Sequence, residues 1–211
     1  LTSAQLGHLT TTQLGELTAT QVGALSATNF SAMGVTALGA LTATQLKGVT
    51  TTQVAGLTSG ALGAFSSTQV SELATTQINA LTSTNVGLLN ATTQINGLTS
   101  TQIAAMNTTV FGGLTSGQLG QFANTQVNAL TASQIKSLST AAFGGLNDTQ
   151  IDVLSKTQIG QLSTTNFNSI DQTGVQALNA TQVAGFATTQ MAGLTSAQLG
   201  HLTTTQLGEL T

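Results

Sequence analysis

The segment Leu1–Thr18 reads LTSAQLGHLTTTQLGELT, and the same eighteen residues return unchanged as Leu194–Thr211. Within the segment an eight-residue unit, here called the octad, occurs twice and begins a third time. The two occurrences start 193 residues apart (194 − 1), which defines a second and longer period. We therefore expect a single continuous repeat array over residues 1–211, with one long repeat over 1–193 and the start of the next over 194–211, as in a window of a longer tandem array.

Apolar side chains recur at positions one and six of the octad when Leu1 is taken as position one. No charged residue occupies either position, and a single extra residue within 90–97 shifts the frame before the pattern resumes at Leu98. These two positions are the expected core. In the first octads this structural core comprises Leu1, Leu6, Leu9, Leu14, Leu17, Val22, Leu25 and Phe30.

The alternating spacing of five and three residues between apolar positions excludes two simple structures. On one continuous helix, at about 100° per residue, the apolar positions would drift around the cylinder and form no stripe. On a strand, positions one and six would point to opposite faces because side chains alternate with a period of two. Each octad must therefore contain a bend.

Helix-capping residues occupy fixed positions of the octad. Position two is Ser, Thr, Asn or Asp in 22 of 26 octads, and these side chains accept a hydrogen bond from the first turn of a helix. Position five is Gln in 18 octads and Asn in three, where a capping box needs a side chain that reaches back to the cap. The sequence predicts one short capped helix per octad, and its first helix caps are Thr2, Gln5, Thr10, Gln13, Thr18 and Gln21.

Helices this short are not stable alone, whereas stacked octads bury positions one and six continuously. Octads with no amide at position five begin at Met33, Leu57, Met106, Leu138 and Ile170. Together with the Asn-bearing octad at Leu81, the first three of these lie three octads apart. This spacing predicts an all-α repeat solenoid with three short helices in each 24-residue coil, and a coil of two octads is the alternative count. The alternative fold is a β-solenoid, because Thr favours strands and stacked Asn and Gln form ladders.

Composition argues against most kinds of active or binding site. With three Lys, no Arg and a net charge of −3, the chain lacks the positive surface that nucleic acid requires, and no apolar run is long enough for membrane insertion. Without Cys, the two His cannot form a nucleophile–base arrangement, so we expect no enzyme, no cofactor and no metal site. His8 and His201 are equivalent in the long repeat and are expected to be exposed. A solvated face or lateral contact is expected at the one charged district, formed by Asp148, Asp152, Lys156 and Asp171.

Three stretches carry a family resemblance: LTATQVGAL at 17–25, LTSTQIAAM at 98–106 and LTASQIKSL at 130–138. They resemble the Leu-Thr-x-x-Gln-Ile arrays of very large bacterial secreted and surface proteins of the adhesin type. The resemblance spans all 211 residues as one of composition and period, and it implies an extracellular, cell-surface protein.

The expected function follows from this resemblance and from the absence of a reactive site. We expect a structural repeat that forms the stalk or self-assembling filament of a bacterial extracellular appendage, with copies of itself as lateral or end-to-end partners. The alternative is a surface-binding module, either an adhesin or an ice-binding array, whose regular Thr/Asn/Gln face contacts glycans or another surface.

Overall fold

The computed structural model describes residues 3–210, so the expected core residue Leu1 and the expected cap Thr2 lie outside the described residues. Over this range the chain forms 26 short helices, one in each octad, and no strand. The prediction of an all-α array is confirmed for the described residues, and the β-solenoid alternative is wrong.

The helices belong to two compact units, Leu1–Leu114 and Thr115–Thr211. The helices of the first unit are α1 Ser3–Gly7, α2 Thr11–Gly15, α3 Ala19–Gly23, α4 Ala27–Ser31, α5 Val35–Gly39, α6 Ala43–Leu46, α7 Thr51–Ala55, α8 Ser59–Gly63, α9 Ser67–Glu72, α10 Thr75–Ile78, α11 Ser83–Gly87, α12 Gln94–Gly97, α13 Ser100–Ala105 and α14 Thr108–Phe111. Those of the second unit are α15 Ser116–Leu119, α16 Asn124–Asn128, α17 Ala132–Ser137, α18 Thr140–Phe143, α19 Asp148–Asp152, α20 Lys156–Gln161, α21 Thr164–Asn168, α22 Gln172–Ala177, α23 Ala180–Val183, α24 Thr188–Ala192, α25 Ser196–His201 and α26 Thr204–Gly208.

Within each unit, the helices that pack together lie three positions apart along the chain. In the first unit α1 packs on α4, α4 on α7, α7 on α10 and α10 on α13; in the second unit α16 packs on α19 and α19 on α22. One coil therefore contains three helices, which confirms the three-octad coil. Stacked coils form three columns in the first unit: the first column is α1, α4, α7, α10 and α13, the second is α2, α5, α8, α11 and α14, and the third is α3, α6, α9 and α12.

Apolar side chains of positions one and six fill the space enclosed by the columns. The largest side chains that are almost fully buried include Phe30, Phe111 and Phe167. In the second unit the rings of Phe167 and Phe186 pack edge to face, with their centroids 4.6 Å apart. The core of each unit is thus a continuous apolar interior that no single octad could form.

The turn between consecutive helices is short and closed by the backbone. The position-one amide donates to the position-six carbonyl of the helix just completed, as Leu25 N does to Val22 O at 3.2 Å. Close stacking requires glycine at Gly48, where a Cβ would collide with the Ala19 carbonyl of the preceding coil. Gly34 takes the cap position of α5 with φ of 87°, in the left-handed region that glycine adopts readily.

The extra residue within 90–97 is accommodated before α12. Asn90 Oδ1 accepts hydrogen bonds from Thr92 N and Thr93 N, both at 3.0 Å, and forms a local loop. Asn90 N still donates to Gln94 Oε1 at 2.8 Å, four residues ahead instead of three. The insertion lengthens only the loop between cap and amide, so Gln94 keeps its place in the stack.

Candidate functional site

Many of the described octads begin with a reciprocal pair of hydrogen bonds between the cap and the amide. In α2, Gln13 N donates to Thr10 Oγ1 at 3.2 Å and Thr10 N donates to Gln13 Oε1 at 2.9 Å. In α3, Thr18 and Gln21 repeat this pair at 3.2 and 2.8 Å. Two backbone donors that a short helix would leave unpaired are satisfied in this way.

The same Gln side chain has a second role once a coil precedes it. Gln45, which is 2% exposed, uses Oε1 to accept from Thr42 N at 2.9 Å. Its Nε2 donates to Leu14 O and Leu17 O, both at 2.9 Å, at the turn between α2 and α3. One buried amide therefore joins the start of its own helix to a turn of the coil below.

This contact recurs throughout both units. We call it the amide ladder: the set of position-five Gln side chains whose Nε2 donates to a position-six carbonyl and to the following position-one carbonyl of the preceding coil. Its members in the first unit include Gln45, Gln53, Gln69, Gln77, Gln94 and Gln102, and those in the second unit include Gln150, Gln158, Gln182, Gln190 and Gln206.

The sequence contains a signal for the ladder. A capping box accepts Glu as readily as Gln, because only a side-chain oxygen has to reach the cap. Position five is Gln in 18 octads and Glu in none, and only the amide carries the NH₂ donors that the preceding coil requires. The capping-box interpretation explained the hydrogen bond that each Gln side-chain oxygen accepts from the cap amide. It did not predict the hydrogen bonds that the side-chain nitrogen donates to the preceding coil.

Gaps in the ladder are distributed differently in the two units. In the first unit they fall mainly on the second column, where position five is Ala37, Ala61, Asn85 and Val110, and one further position without Gln, Asn29, lies on the first column. Asn85 Nδ2 reaches Leu57 O only at 3.3 Å. In the second unit Asn166 Nδ2 reaches Leu138 O at 2.9 Å, but its buried Oδ1 has no partner, because Asn is one methylene shorter than Gln.

The expected core and cap residues of the first coils differ in how deeply their side chains are buried. Leu6, Leu14, Val22, Leu25 and Phe30 are buried. Leu9 and Leu17 are half-buried, and the side chains of Gln5, Gln13 and Gln21 are exposed. These three Gln side chains belong to the first coil, so no described coil lies on the side where the ladder would continue.

The two histidines differ although their octads are identical. His8 is exposed, whereas His201 is half-buried and its Nδ1 is buried without a partner. The expectation of exposure is therefore wrong for His201, which lies in a helix that packs on α22. Gln198, in the same helix, donates to Asn168 O and Ile170 O, both at 2.7 Å, while its Oε1 is also unpartnered.

The charged district lies on the exterior of the second unit. Asp148, Asp152, Lys156 and Asp171 are all exposed, and Asp171 Oδ1 accepts from Gly174 N at 2.8 Å as the cap of α22. Over the part of the chain that the structure describes, no three His, Cys, Asp or Glu side chains are grouped so that they could hold a metal ion. None of the helices described between residues 3 and 210 is long and apolar enough to cross a bilayer.

Comparison with known proteins identifies the repeat within the second unit. Residues 133–164, which correspond to four octads, match the family model described as the ALTTAQ repeat. No curated protein matches the chain. Together with the stacked capped helices, this match supports a tandem-repeat array with an ALTTAQ-type motif.

Proposed function

We propose that this chain is a structural repeat that forms the stalk or self-assembling filament of a bacterial extracellular appendage. The observation that carries the proposal is the amide ladder. Inside each unit, a coil donates to the coil before it and accepts from the coil after it, so the same contact can extend an array by any number of coils. In this role the chain performs no catalysis, and its partners are copies of itself.

The exterior supports the proposal because it favours association between copies. The chain carries three Lys, no Arg and six acidic residues among 211, and its exposed positions are mostly Thr, Ser, Asn, Ala and Gly. A low net charge reduces repulsion between identical molecules. The resemblance of the octad to bacterial surface arrays supports the appendage as the setting.

Electron microscopy of the purified 211-residue chain, combined with far-ultraviolet circular dichroism of the same sample, tests the proposal. We expect fibres of uniform width and a helical spectrum, with fibre length increasing with protein concentration. A helical spectrum from particles that stay separate at every concentration would contradict the filament.

A surface-binding module is the second candidate, and one feature of the first unit favours it. The first column presents Thr28, Thr52, Thr76 and Thr101 at position four of successive helices, and all four side chains are exposed. No residue of the octads that contain them is charged. A regular row of hydroxyls on an uncharged face suits contact with the ordered water of an ice surface.

Thermal hysteresis separates this candidate from the first. Thr52→Lys with Thr76→Lys should abolish hysteresis by disrupting the row. Thr36→Lys with Thr84→Lys adds the same charge on the second column, where Gly60 already interrupts the row, and should leave hysteresis unchanged. Absence of hysteresis in the unsubstituted protein would remove the candidate.

A further inference from the structure

Helices α8 and α14 of the first unit lack the position-five Gln that completes the cap of many other helices. Position five is Ala61 in α8 and Val110 in α14, and neither side chain can accept a hydrogen bond. In α7, by contrast, the backbone amide of the position-two cap residue donates to the Gln side chain, as Thr50 N does to Gln53 Oε1 at 2.7 Å. The cap amides of α8 and α14 therefore need an acceptor from outside their own octads.

That acceptor comes from position seven of the preceding coil. Thr58 N, the cap amide of α8, donates to Ser31 Oγ at 3.0 Å. Asn107 N, the cap amide of α14, donates to Asn79 Oδ1 at 2.7 Å. Asn79 Nδ2 also donates to Ala105 O at 2.7 Å, which holds the side chain in place. Ser31 ends α4 and Asn79 follows α10, so in both cases the acceptor lies four helices before the helix that it caps.

A position-seven side chain behaves differently where the next cap already has its Gln. Ser71 lies in α9, four helices before α13, and in α13 Thr99 N donates to Gln102 Oε1 at 2.7 Å. Ser71 Oγ donates instead to Thr68 O of its own helix, at 2.6 Å. The hydroxyl therefore bridges to the next coil at Ser31, where the Gln is missing, and turns back on its own helix at Ser71.

The second unit contains an octad in which both acceptors are present. Asn168, at position seven of α21, donates through Nδ2 to Gly193 O at 2.7 Å, as Asn79 does to its own carbonyl partner. Four helices later, α25 has Gln198 at position five. Asn168 Oδ1 and Gln198 Oε1 are both buried, and neither has a hydrogen-bond partner among the described residues. Two acceptors here correspond to a single cap amide, that of Thr195, so the arrangement that satisfies a cap is one acceptor for each amide.

We infer that Ser31 and Asn79 are registry residues, which complete the cap of a helix in the next coil and thereby favour the coil of three octads. In a coil of two octads Ser31 would lie against the cap of α7, and in a coil of four it would lie against the cap of α9. Both of these helices already have a complete capping box. Asn79 would likewise meet octads that carry Gln. The three-octad coil brings each of the two acceptors to a cap that lacks one.

This arrangement makes α8 and α14 depend on the coil before them. Helix α7 has both halves of its cap within one octad, because Thr50 and Gln53 bond to each other. The cap of α8 is complete only when α4 packs one coil earlier and presents Ser31. The device belongs to particular octads, since position seven before α22 is Gly144 although position five of α22 is Gly174. A polar contact confined to a few places is the kind that can fix register in a repeated structure.

Hydrogen exchange of single amides in the 211-residue chain tests the inference. Ser31→Ala should raise the exchange rate of the Thr58 amide about fivefold, since it removes one hydrogen bond. The matched control Ser71→Ala makes the same change at the same octad position and should leave the exchange of the Thr99 amide unchanged. Equal effects of the two variants, or no effect of Ser31→Ala, would overturn the inference.

A double-substitution cycle separates completion of the cap from a general loss of packing. Ala61→Gln gives α8 the amide that it lacks, and in that background Ser31→Ala should no longer change the exchange of the α8 cap amide. Positions 31 and 61 are neighbours in a three-octad coil, so this coupling also reports the register. An undiminished effect of Ser31→Ala would overturn the inference. If Ala61→Gln does not fold, Asn79→Ala with and without Val110→Gln gives the same cycle at the Asn107 amide.

Asn168→Ala provides a test of opposite sign. Removing the competing oxygen should let Gln198 Oε1 accept from Thr195 N, so the exchange of that amide should slow. Asn79→Ala should instead speed the exchange of Asn107 N, where no Gln can take over. Faster exchange of Thr195 N in Asn168→Ala would contradict the competition between acceptors and overturn the inference. These readouts lie within the chain, so they do not depend on whether copies of the protein assemble.

Discussion

Helices α2 and α26 arise from the same sequence, LTTTQLGEL, at residues 9–17 and 202–210, yet their environments are reversed. In α2, Gln13 is exposed and Leu14 is 4% exposed. In α26, Gln206 is 5% exposed and Leu207 is 42% exposed. The octad buries its amide against the coil before it and its position-six leucine against the coil after it.

The hydrogen bond between the cap amide and the Gln side chain is the same in both helices. Thr10 N donates to Gln13 Oε1 at 2.9 Å, and Thr203 N donates to Gln206 Oε1 at the same distance. Helix formation is thus a property of the octad itself, whereas burial of its two inward side chains depends on its neighbours. The following predictions, from the largest effect to the smallest, would break or sharpen this distinction.

The largest difference is expected between Leu14→Asp and Leu207→Asp. A carboxylate at position 14 would be buried without a partner, and we expect a loss of about 4 kcal/mol, which unfolds α2 and the α5 helix that packs on it. Leu6→Asp should act in the same way. At position 207 the carboxylate reaches solvent, and the loss should be about 1 kcal/mol or less. Hydrogen exchange of the amides of α2, α5 and α26 measures both, and equal losses would contradict the octad register.

At the amide position we expect the opposite order, with the larger loss of stability in α26 and the smaller loss in α2. Gln206→Ala removes the bonds to Val175 O and Leu178 O, both 2.8 Å, together with the cap bond, and should cost about 2–3 kcal/mol. Gln13→Ala removes only the bond to its cap and should cost about 1 kcal/mol. Amide exchange at Leu207 and Leu14 reports the two losses, and a larger loss at Leu14 would show that the ladder adds no stability.

Lengthening a short amide should stabilise the second unit. Asn166→Gln adds the methylene that lets the side-chain oxygen reach Ser163 N while the nitrogen keeps its bond to Leu138 O. Pairing an orphaned buried oxygen should raise the free energy of unfolding by about 1 kcal/mol. Urea denaturation followed by circular dichroism measures this gain. The longer side chain would have to fit the existing space, so a loss of stability would indicate that packing selected Asn there.

The smallest difference is expected between the two caps. Thr10→Ala and Thr203→Ala each remove one side-chain acceptor and should each cost about 1 kcal/mol, because the Gln13 N and Gln206 N contacts are both 3.2 Å. Exchange rates within α2 and α26 should rise by the same factor. A cost in only one helix would show that capping depends on the neighbouring coil after all.

The predictable part of this fold is the part that local chemistry determines. Capping at Thr10 and Gln13, the bend in each octad and the one-helix unit follow from residue types at fixed spacing. The three-octad coil was also predictable from the first unit, where octads without an amide begin at Met33, Leu57 and Met106; those of the second unit, at Leu138 and Ile170, lie four octads apart and carry no such signal. On the first unit these octads all fall on the second column, so the ladder gaps reveal the coil period.

The unpredicted part depends on which coil lies next to which. Nothing within an octad states that Gln45 Nε2 reaches Leu17 O, 28 residues earlier. Likewise, the sequence located an extra residue only within 90–97. The structure places it before Gln94, whose bonds to Leu62 O at 2.6 Å and Phe65 O at 2.8 Å are preserved. Contacts between coils determine such details, and the sequence of a single octad does not predict those contacts.

The amide ladder joins neutral groups only, which has a consequence for the solution conditions that the fold tolerates. A carboxamide does not titrate, and a bond between an amide and a carbonyl is not weakened by counterions as an ion pair is. Stacking that relies on Gln45 and its equivalents should therefore persist from dilute buffer to molar salt, and from mild acid to mild alkali. A charged ladder of the same geometry would bind and release its coils as the ionic strength changed.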